Sequence, residues 1–328
     1  MTPLIFLIIG IIALYLGSGY VVESAKNIAK KLRISHVLIG LTIISIGTSI
    51  PEIMTNLFAG LKVRLGIEAS GIAVGTNIGS DITQITFILG LTALFGTMYA
   101  TKKLLRRDFP MILFSIIAVF VVGITGFKVS FIEGVILLLI YLIYLYYISK
   151  DEKFAGKIIG GLDHKNKNGE RGFFKDVLLM ALGIAILIFA SDFVVTSALK
   201  LSEIWGVAQS FIGVMIIGVG TGLPELSTAI RAIFKKAGGI SIGTLIGSNI
   251  TDPMLSLPIG AMAAGSIGLN FDKNLLFFDI PFWFIVSIIA LLLFRRSMKI
   301  GKGDRKEGLV LIGLYVLFVF LKLKFFLR

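Results

Sequence analysis

The 328-residue chain has no cysteine and only two histidines. Disulfides and thiolate metal sites are thereby excluded. His36 and His164 stand far apart, at a helix start and in a loop, and make no imidazole metal site. No G-x-x-x-x-G-K-[ST] phosphate loop occurs. The longest polar stretch, 150–172, is too short to hold a nucleotide-binding domain. A pump driven by nucleotide hydrolysis is therefore not expected, and an intramembrane metalloprotease lacks its histidines. No enzyme activity and no cofactor are expected. Charge is also sparse: Asp, Glu, Lys and Arg together make 16% of the chain.

What is present is apolar. Hydrophobic residues make 56% of the chain and mean hydropathy is +0.95. Few soluble proteins exceed about half apolar. A helix needs about 20 apolar residues to cross the hydrocarbon core. Ten such runs are legible: 3–23, 36–61, 70–96, 108–127, 131–149, 173–198, 207–233, 239–268, 274–294 and 307–325. The first lacks a basic leader and is read as a retained helix. The expected fold class is an all-α integral membrane protein of ten transmembrane helices.

The net charge of +13 could suggest a nucleic-acid partner, but its distribution does not. Of the 32 Lys and Arg, 24 lie in or beside the segments after odd-numbered runs. That bias is the positive-inside signature. It places the 150–172 loop in the cytoplasm and both termini outside, in a cell membrane. Basic residues beside helices also meet anionic lipid headgroups. The expected partners are ions and membrane lipids, with no nucleic acid, and the monomer is the expected unit.

Comparing the chain with itself is most informative. At a shift of 173, Ser18, Val21, Val22, Ser24 and Ala25 fall on Ser191, Val194, Val195, Ser197 and Ala198. At the same shift Gly40, Gly47, Thr48, Pro51 and Glu52 fall on Gly213, Gly220, Thr221, Pro224 and Glu225. At a shift of 168, Gly71, Gly75, Thr76, Gly79, Ser80 and Thr83 match Gly239, Gly243, Thr244, Gly247, Ser248 and Thr251. Each half holds five runs, an odd number, so the second half enters the membrane from the opposite side. The expected organisation is a first repeat at 1–149, a cytoplasmic linker at 150–172 and an inverted second repeat at 173–328. Inverted repeats are common in secondary transporters, whose ion sites lie at the midplane between the halves.

The matched segments 47–52 and 220–225 each put Thr, Pro and Glu near the middle of an apolar run. An acidic residue there costs about 2.5–3.5 kcal/mol even on mild scales. Proline donates no hydrogen bond and collides with the carbonyl four residues back, here Gly47 and Gly220, which opens the helix and frees carbonyl oxygens. Irregular backbone at this depth survives where it is buried in protein or lines a cavity. Thr48 and Glu52 share one helix face, as do Thr221 and Glu225. In the partner segments 75–84 and 243–252, Ser80 and Gln84 are likewise four apart, as are Ser248 and Asp252. Glycines every four residues in these segments suit close helix packing, which by itself explains them. Together the segments offer Glu52, Glu225 and Asp252 as carboxylates, the Gln84 amide, several hydroxyls and freed carbonyls. This all-oxygen set suits a hard cation such as Ca²⁺, which takes about six to eight oxygens. Three carboxylates suit one divalent ion or two to three monovalent ions in alternation.

These paired motifs resemble the alpha repeats of the calcium/cation antiporter superfamily, most closely its prokaryotic sodium/calcium exchangers, and the resemblance spans the chain. It implies transport of Ca²⁺ and Na⁺ through four central sites. Carried onto this sequence, Glu52 and Glu225 would bridge sites, and Thr48 and Thr221 would offer carbonyls to Ca²⁺. The Ser45 carbonyl, Ser49 and Ser248 would form one Na⁺ site, and the Gly218 carbonyl with Ser80 its mirror image. Gln84 and Asp252 would hold the middle site. Two positions depart from the family pattern: Gly222 stands for a usual serine and Gln84 for a usual asparagine. Thr48 and Thr221 favour Na⁺ over H⁺ as the counter-ion. The alternatives are an H⁺- or K⁺-coupled exchanger and a cation channel. Outside the motif set, Asp81 is expected to bond helix backbone. Asp192 is expected to cap a helix or meet water.

Overall fold

The computed structural model describes residues 2–31, 45–95, 104–150, 172–234, 238–300 and 305–326. His36, His164, Gly40 and the 151–171 part of the linker lie outside them. The described chain is almost entirely helical. In order, the helices are α1 (Thr2–Lys31), α2 (Ser45–Thr48), α3 (Ile50–Arg64), α4 (Ser70–Thr83), α5 (Leu89–Phe95), α6 (Phe109–Gly126), α7 (Phe131–Ser149) and α8 (Phe173–Trp205). They continue as α9 (Gln209–Ile212), α10 (Gly218–Thr221), α11 (Leu223–Phe234), α12 (Gly238–Thr251), α13 (Leu257–Ala263), α14 (Ile280–Ile300) and α15 (Arg305–Phe326). Among the described residues, seven helical segments are long and apolar enough to cross a membrane: Thr2–Ala25, Ser70–Phe95, Leu104–Gly126, Phe131–Ile148, Phe173–Trp205, Gln209–Phe234 and Leu275–Arg296. The protein is thus an all-helical membrane protein. Of the three other apolar runs, residues 36–44 of the second lie outside the described residues. The eighth forms α12 and α13, and the tenth forms α15.

Several helices run on through π-helical turns rather than ending. Gln84–Ile88 joins α4 to α5, Gly213–Ile217 joins α9 to α10, and Asp252–Ser256 joins α12 to α13. Leu104–Asp108 and Leu275–Asp279 lead into α6 and α14. A π turn inserts one residue into the helical ladder and often marks a functional position. Two of these turns begin at Gln84 and Asp252. The interruptions expected at the prolines also occur. The chain leaves helical geometry at Ser49, between α2 and α3, and at Gly222, between α10 and α11. Each break sits two residues before its proline, because the missing N–H and the ring clash act on the preceding turn.

Packing follows the self-similarity of the sequence. Helix α1 lies along α8. A Cβ on Gly10 would meet Val194 at 2.6 Å, and one on Gly183 would meet Val21 and the Gly17 carbonyl at 2.9 Å. The pairs Gly10/Gly183 and Val21/Val194 are each 173 apart, so the two contacts are the same contact seen from either half. Likewise Gly134 on α7 faces the Pro258 carbonyl, and Gly308 on α15 faces the Gly90 carbonyl. Among the seven candidate spans, the one that opens with α4 is the most enclosed: with its continuation to Phe95, 78% of its apolar stretch is buried, against 22% for Phe131–Ile148. The glycines of α4 explain how. Gly71 and Gly75 pack on Gln209 and Ser210, and Gly79 on Val214, where any Cβ would strike backbone. The corresponding Gly243 on α12 has no described neighbour within 4 Å.

Two short pieces of strand were not expected. β1 (Lys128–Val129) pairs antiparallel with β2 (Leu269–Asn270), Lys128 opposite Asn270 and Val129 opposite Leu269. The start of α9 and the segments after the second and eighth runs also meet nearby: Gln209 donates to the Glu68 carbonyl at 3.0 Å, Asn270 to the Glu68 carboxylate at 3.4 Å, and Ser210 bonds Asp272. Lys322, a cation within the last apolar run, is buried. It pairs with Asp279 at 2.5 Å, the two side chains 1% and 0% exposed.

Candidate functional site

The polar centre lies where the two interrupted segments α2–α3 and α10–α11 meet α4 and α12. Proline and glycine open the first pair locally, and small residues let the second pair approach. Glu52, Glu225, Asp252, Ser49, Ser80, Ser248 and Gln84 are all fully buried, and Thr48 and Thr221 nearly so. Ser80 donates to Glu52 at 2.8 Å, and Ser248 to Glu225 at 3.1 Å. These are equivalent bonds, one in each half. The halves are also stitched together. Thr48 shares a hydrogen bond of 3.3 Å with Ser248 and lies against Glu225. The Gln84 amide donates to Ser80 at 2.9 Å and to Asp252 at 3.3 Å.

Gly218 and Ser80 are brought together as closely as backbones allow: a Cβ on Gly218 would fall 2.5 Å from the Ser80 nitrogen. The turn Ser45–Thr48 packs against α12. Thr221 departs from the symmetry. Its hydroxyl donates to the Gly218 carbonyl at 3.4 Å within its own turn, while its mate Thr48 reaches across to α12.

Several acceptors here meet no donor. Among the described residues, Ser49 Oγ, Glu52 Oε2, Glu225 Oε2, Asp252 Oδ1 and both oxygens of Asp81 are buried without a hydrogen-bond partner. Buried polar atoms are nearly always satisfied, so a concentration of orphans needs a cause. Among the described residues, no three carboxylates or imidazoles close around a single point as a ready-made metal cage. A cation held here would draw on hydroxyl, amide and carbonyl oxygens as well as carboxylates. That donor set fits a hard ion of the Ca²⁺ or Na⁺ kind.

Some participants were not singled out from the sequence. Asn249 donates to Gln84 at 2.9 Å and accepts from the Trp283 indole at 3.3 Å. Asn77 donates to Asn56 at 2.7 Å, and Asn56 donates to Ser256 at 3.1 Å and to the Glu52 carbonyl at 2.9 Å. Buried amides in apolar runs were the available signal; Trp283 offered none. Two expectations need correction. The Asp81 oxygens make no bond to helix backbone, because they point from α4 towards Asp252. Asp192, 54% exposed, neither caps a helix nor relies on water alone: it pairs with Lys62 at 2.7 Å, across from α8 to α3.

Helical spans around a buried carboxylate, hydroxyl and amide cluster define an integral membrane protein with an ionisable interior, the class to which ion transporters belong. Comparison with known proteins narrows this. The sodium/calcium exchanger protein family matches residues 2–150 and 175–324, and the chain belongs to that family. It is 31% identical to the sodium/calcium exchanger MaX1 of Methanosarcina acetivorans, over 96% of this chain and 97% of that one. It is 33% identical to the uncharacterised membrane protein MJ0091 of Methanocaldococcus jannaschii, over 95% of both. The fold matches the solved sodium-calcium exchanger NCX_Mj with a TM-score of 0.63 and 28% identity, covering 97% of this chain and 98% of that chain. Cation/Ca²⁺ exchange is therefore the activity of the family, and its members are transporters.

Proposed function

We propose that this chain is a secondary antiporter that exchanges Ca²⁺ for Na⁺ by alternating access. In this reading ten helices form two inverted repeats, 1–149 and 173–328, joined by a cytoplasmic linker with both termini outside. The equivalent contacts of Gly10 and Gly183, and of Gly134 and Gly308, support the repeat. The observation that carries the function is the set of unpartnered buried oxygens on Glu52, Glu225, Asp252 and Ser49 at the crossing of the broken helices. Such oxygens are costly unless a cation meets them. Glu52 and Glu225 are the shared ligands, since each carboxylate has one oxygen held by serine and one free. Thr48, Thr221, Ser45 and Gly218 supply carbonyls, and Ser49, Ser80, Ser248, Gln84 and Asp252 complete the set. Ca²⁺ and Na⁺ compete for the overlapping oxygens, so one load excludes the other. Each ion shifts the conformational equilibrium only through its differential affinity for the two states.

The test is calcium flux in vesicles containing the purified protein. An outward sodium gradient should drive calcium uptake, and replacing sodium by choline should abolish it. Calcium movement independent of any counter-ion would refute exchange and indicate a channel.

A further inference from the structure

Asp81 stands outside the ligand set just proposed, and the halves of the protein show what it lacks. At a shift of 168 its mate is Asn249, and the mate of Gln84 is Asp252. In the second half, Asn249 is held from two sides, by Gln84 at 2.9 Å and by the Trp283 indole at 3.3 Å. In the first half both supports are missing. Where Gln84 would stand there is Asp252, against which the Asp81 carboxylate lies. Trp283 lies four residues past Asp279, whose equivalent in the first half, by the shared D-x-P pattern, is Asp108. The position equivalent to Trp283 is therefore Ile112, which has no donor. Under the repeat, the amide pair Asn249–Gln84 has as its equivalent the acid pair Asp81–Asp252, each pair reaching from one half to the other.

Asp81 is 0% exposed and neither of its oxygens has a hydrogen-bond partner; Asp252 Oδ1 is also unpartnered. Ser49 Oγ, likewise without a hydrogen-bond partner, lies beside Asp252 and offers a further oxygen there. Four carboxylates, Glu52, Asp81, Glu225 and Asp252, thus share one buried region. The buried lysine pairs elsewhere, with Asp279. With all four ionised, a single Ca²⁺ leaves two of the four charges unbalanced, and removing an ion's partner in a buried setting costs several kcal/mol in the cases measured.

We infer that Asp81 and Asp252 hold an alkali-metal cation, Na⁺ or K⁺, between them, at a position additional to those set by the two glutamates. Two carboxylates and a hydroxyl make an oxygen-only site for a hard monovalent ion. Occupied together with the rest of the centre, it would add one positive charge to the load the protein carries or requires.

This inference rests on the exchanger reading, and the experiment separates the two. Purified wild-type protein and Asp81→Asn are compared for thermal unfolding in calcium-free buffer titrated with NaCl, KCl or choline chloride. Asparagine at 81 can donate to Asp252 as Asn249 donates to Gln84, so the variant should fold and be at least as stable as wild type in choline. The expected result is stabilisation of wild type by Na⁺ or K⁺ with a half-maximal concentration about 10- to 100-fold lower than for the variant, the usual effect of losing one charged contact. In vesicles, the variant should still exchange calcium but with a shallower dependence on that same cation, by about one ion. Equal titrations in wild type and variant would overturn the inference while leaving sodium-driven calcium flux intact. A difference that responds to pH but to neither alkali cation would assign the place to a proton and overturn it as well. Failure of both Asp81→Asn and Asp81→Ser to fold would show that the carboxylate is structural and would also overturn it. If wild type shows no sodium-driven calcium flux, the exchanger reading fails, while the unfolding titrations still decide the cation site.

Discussion

Placing a serine at Gly222 tests how the two halves share sodium. The equivalent position in the first half is Ser49, whose buried hydroxyl has no hydrogen-bond partner. Gly222 sits at the break between α10 and α11 with φ −73° and ψ 0°, a conformation open to any residue. A Cβ there would meet the Gly218 carbonyl at 3.4 Å, Ile88 Cδ1 at 3.5 Å and the Val219 carbonyl at 3.6 Å, all ordinary contacts. Gly222→Ser is therefore accommodated, unlike a substitution at Gly218, whose Cβ would collide with Ser80 backbone at 2.5 Å. Losing glycine also lowers the entropy of the unfolded chain, which stabilises by about 0.4–1 kcal/mol. One added oxygen ligand is worth about 0.5–1.5 kcal/mol, a factor of roughly 2 to 12 in affinity. The expected outcome is a 2- to 12-fold lower half-maximal sodium concentration and a steeper sodium curve, with calcium affinity changed less. Ser49→Gly should do the reverse. The assay is calcium efflux from vesicles against external sodium. An unchanged sodium curve in a folded, active Gly222→Ser protein would refute the reasoning, because it would mean this half holds no sodium or already has its oxygen.

Glu52→Gln and Glu225→Gln should each weaken calcium transport by at least about 10- to 100-fold while the protein stays folded, since each removes a charged ligand but keeps the shape; near-normal calcium flux in either would make that glutamate structural. For topology, a cysteine at Gly160 should react only from the cytoplasmic side. One at Leu65, 78% exposed, should react only from outside; Leu65 is preferred to Gly66, whose φ of +82° a cysteine would strain. Labelling from the opposite sides would overturn the inverted-repeat reading. Lys322→Met should destabilise by about 3–5 kcal/mol because it strands Asp279 in the interior, and adding Asp279→Asn should restore most of that loss in thermal unfolding. A Lys322→Met protein as stable as wild type would show that the pair contributes nothing.

The apolar runs, the two-part self-similarity and the mid-run Thr–Pro–Glu segments were legible in the sequence because each is a local or periodic property. Apolar length predicts a span, and a proline predicts a break within one turn of itself; both interruptions, at Ser49 and Gly222, fell there. The serine–glutamate bonds followed the repeat as well. The fate of a polar atom was not legible, because it depends on which side chain from a distant helix arrives beside it. Asp81 and Asn249 occupy equivalent places, yet Asn249 is satisfied by Gln84 and Trp283, while Asp81 faces another carboxylate. Lys322 reads only as a cation within the last apolar run until α15 packs against the turn that carries Asp279 and excludes water from both. Hydropathy and spacing decide which residues enter the membrane. Only the crossing of helices decides which buried charges find a partner, since Coulomb and hydrogen-bond energies act over a few ångströms in space, whatever the separation along the chain.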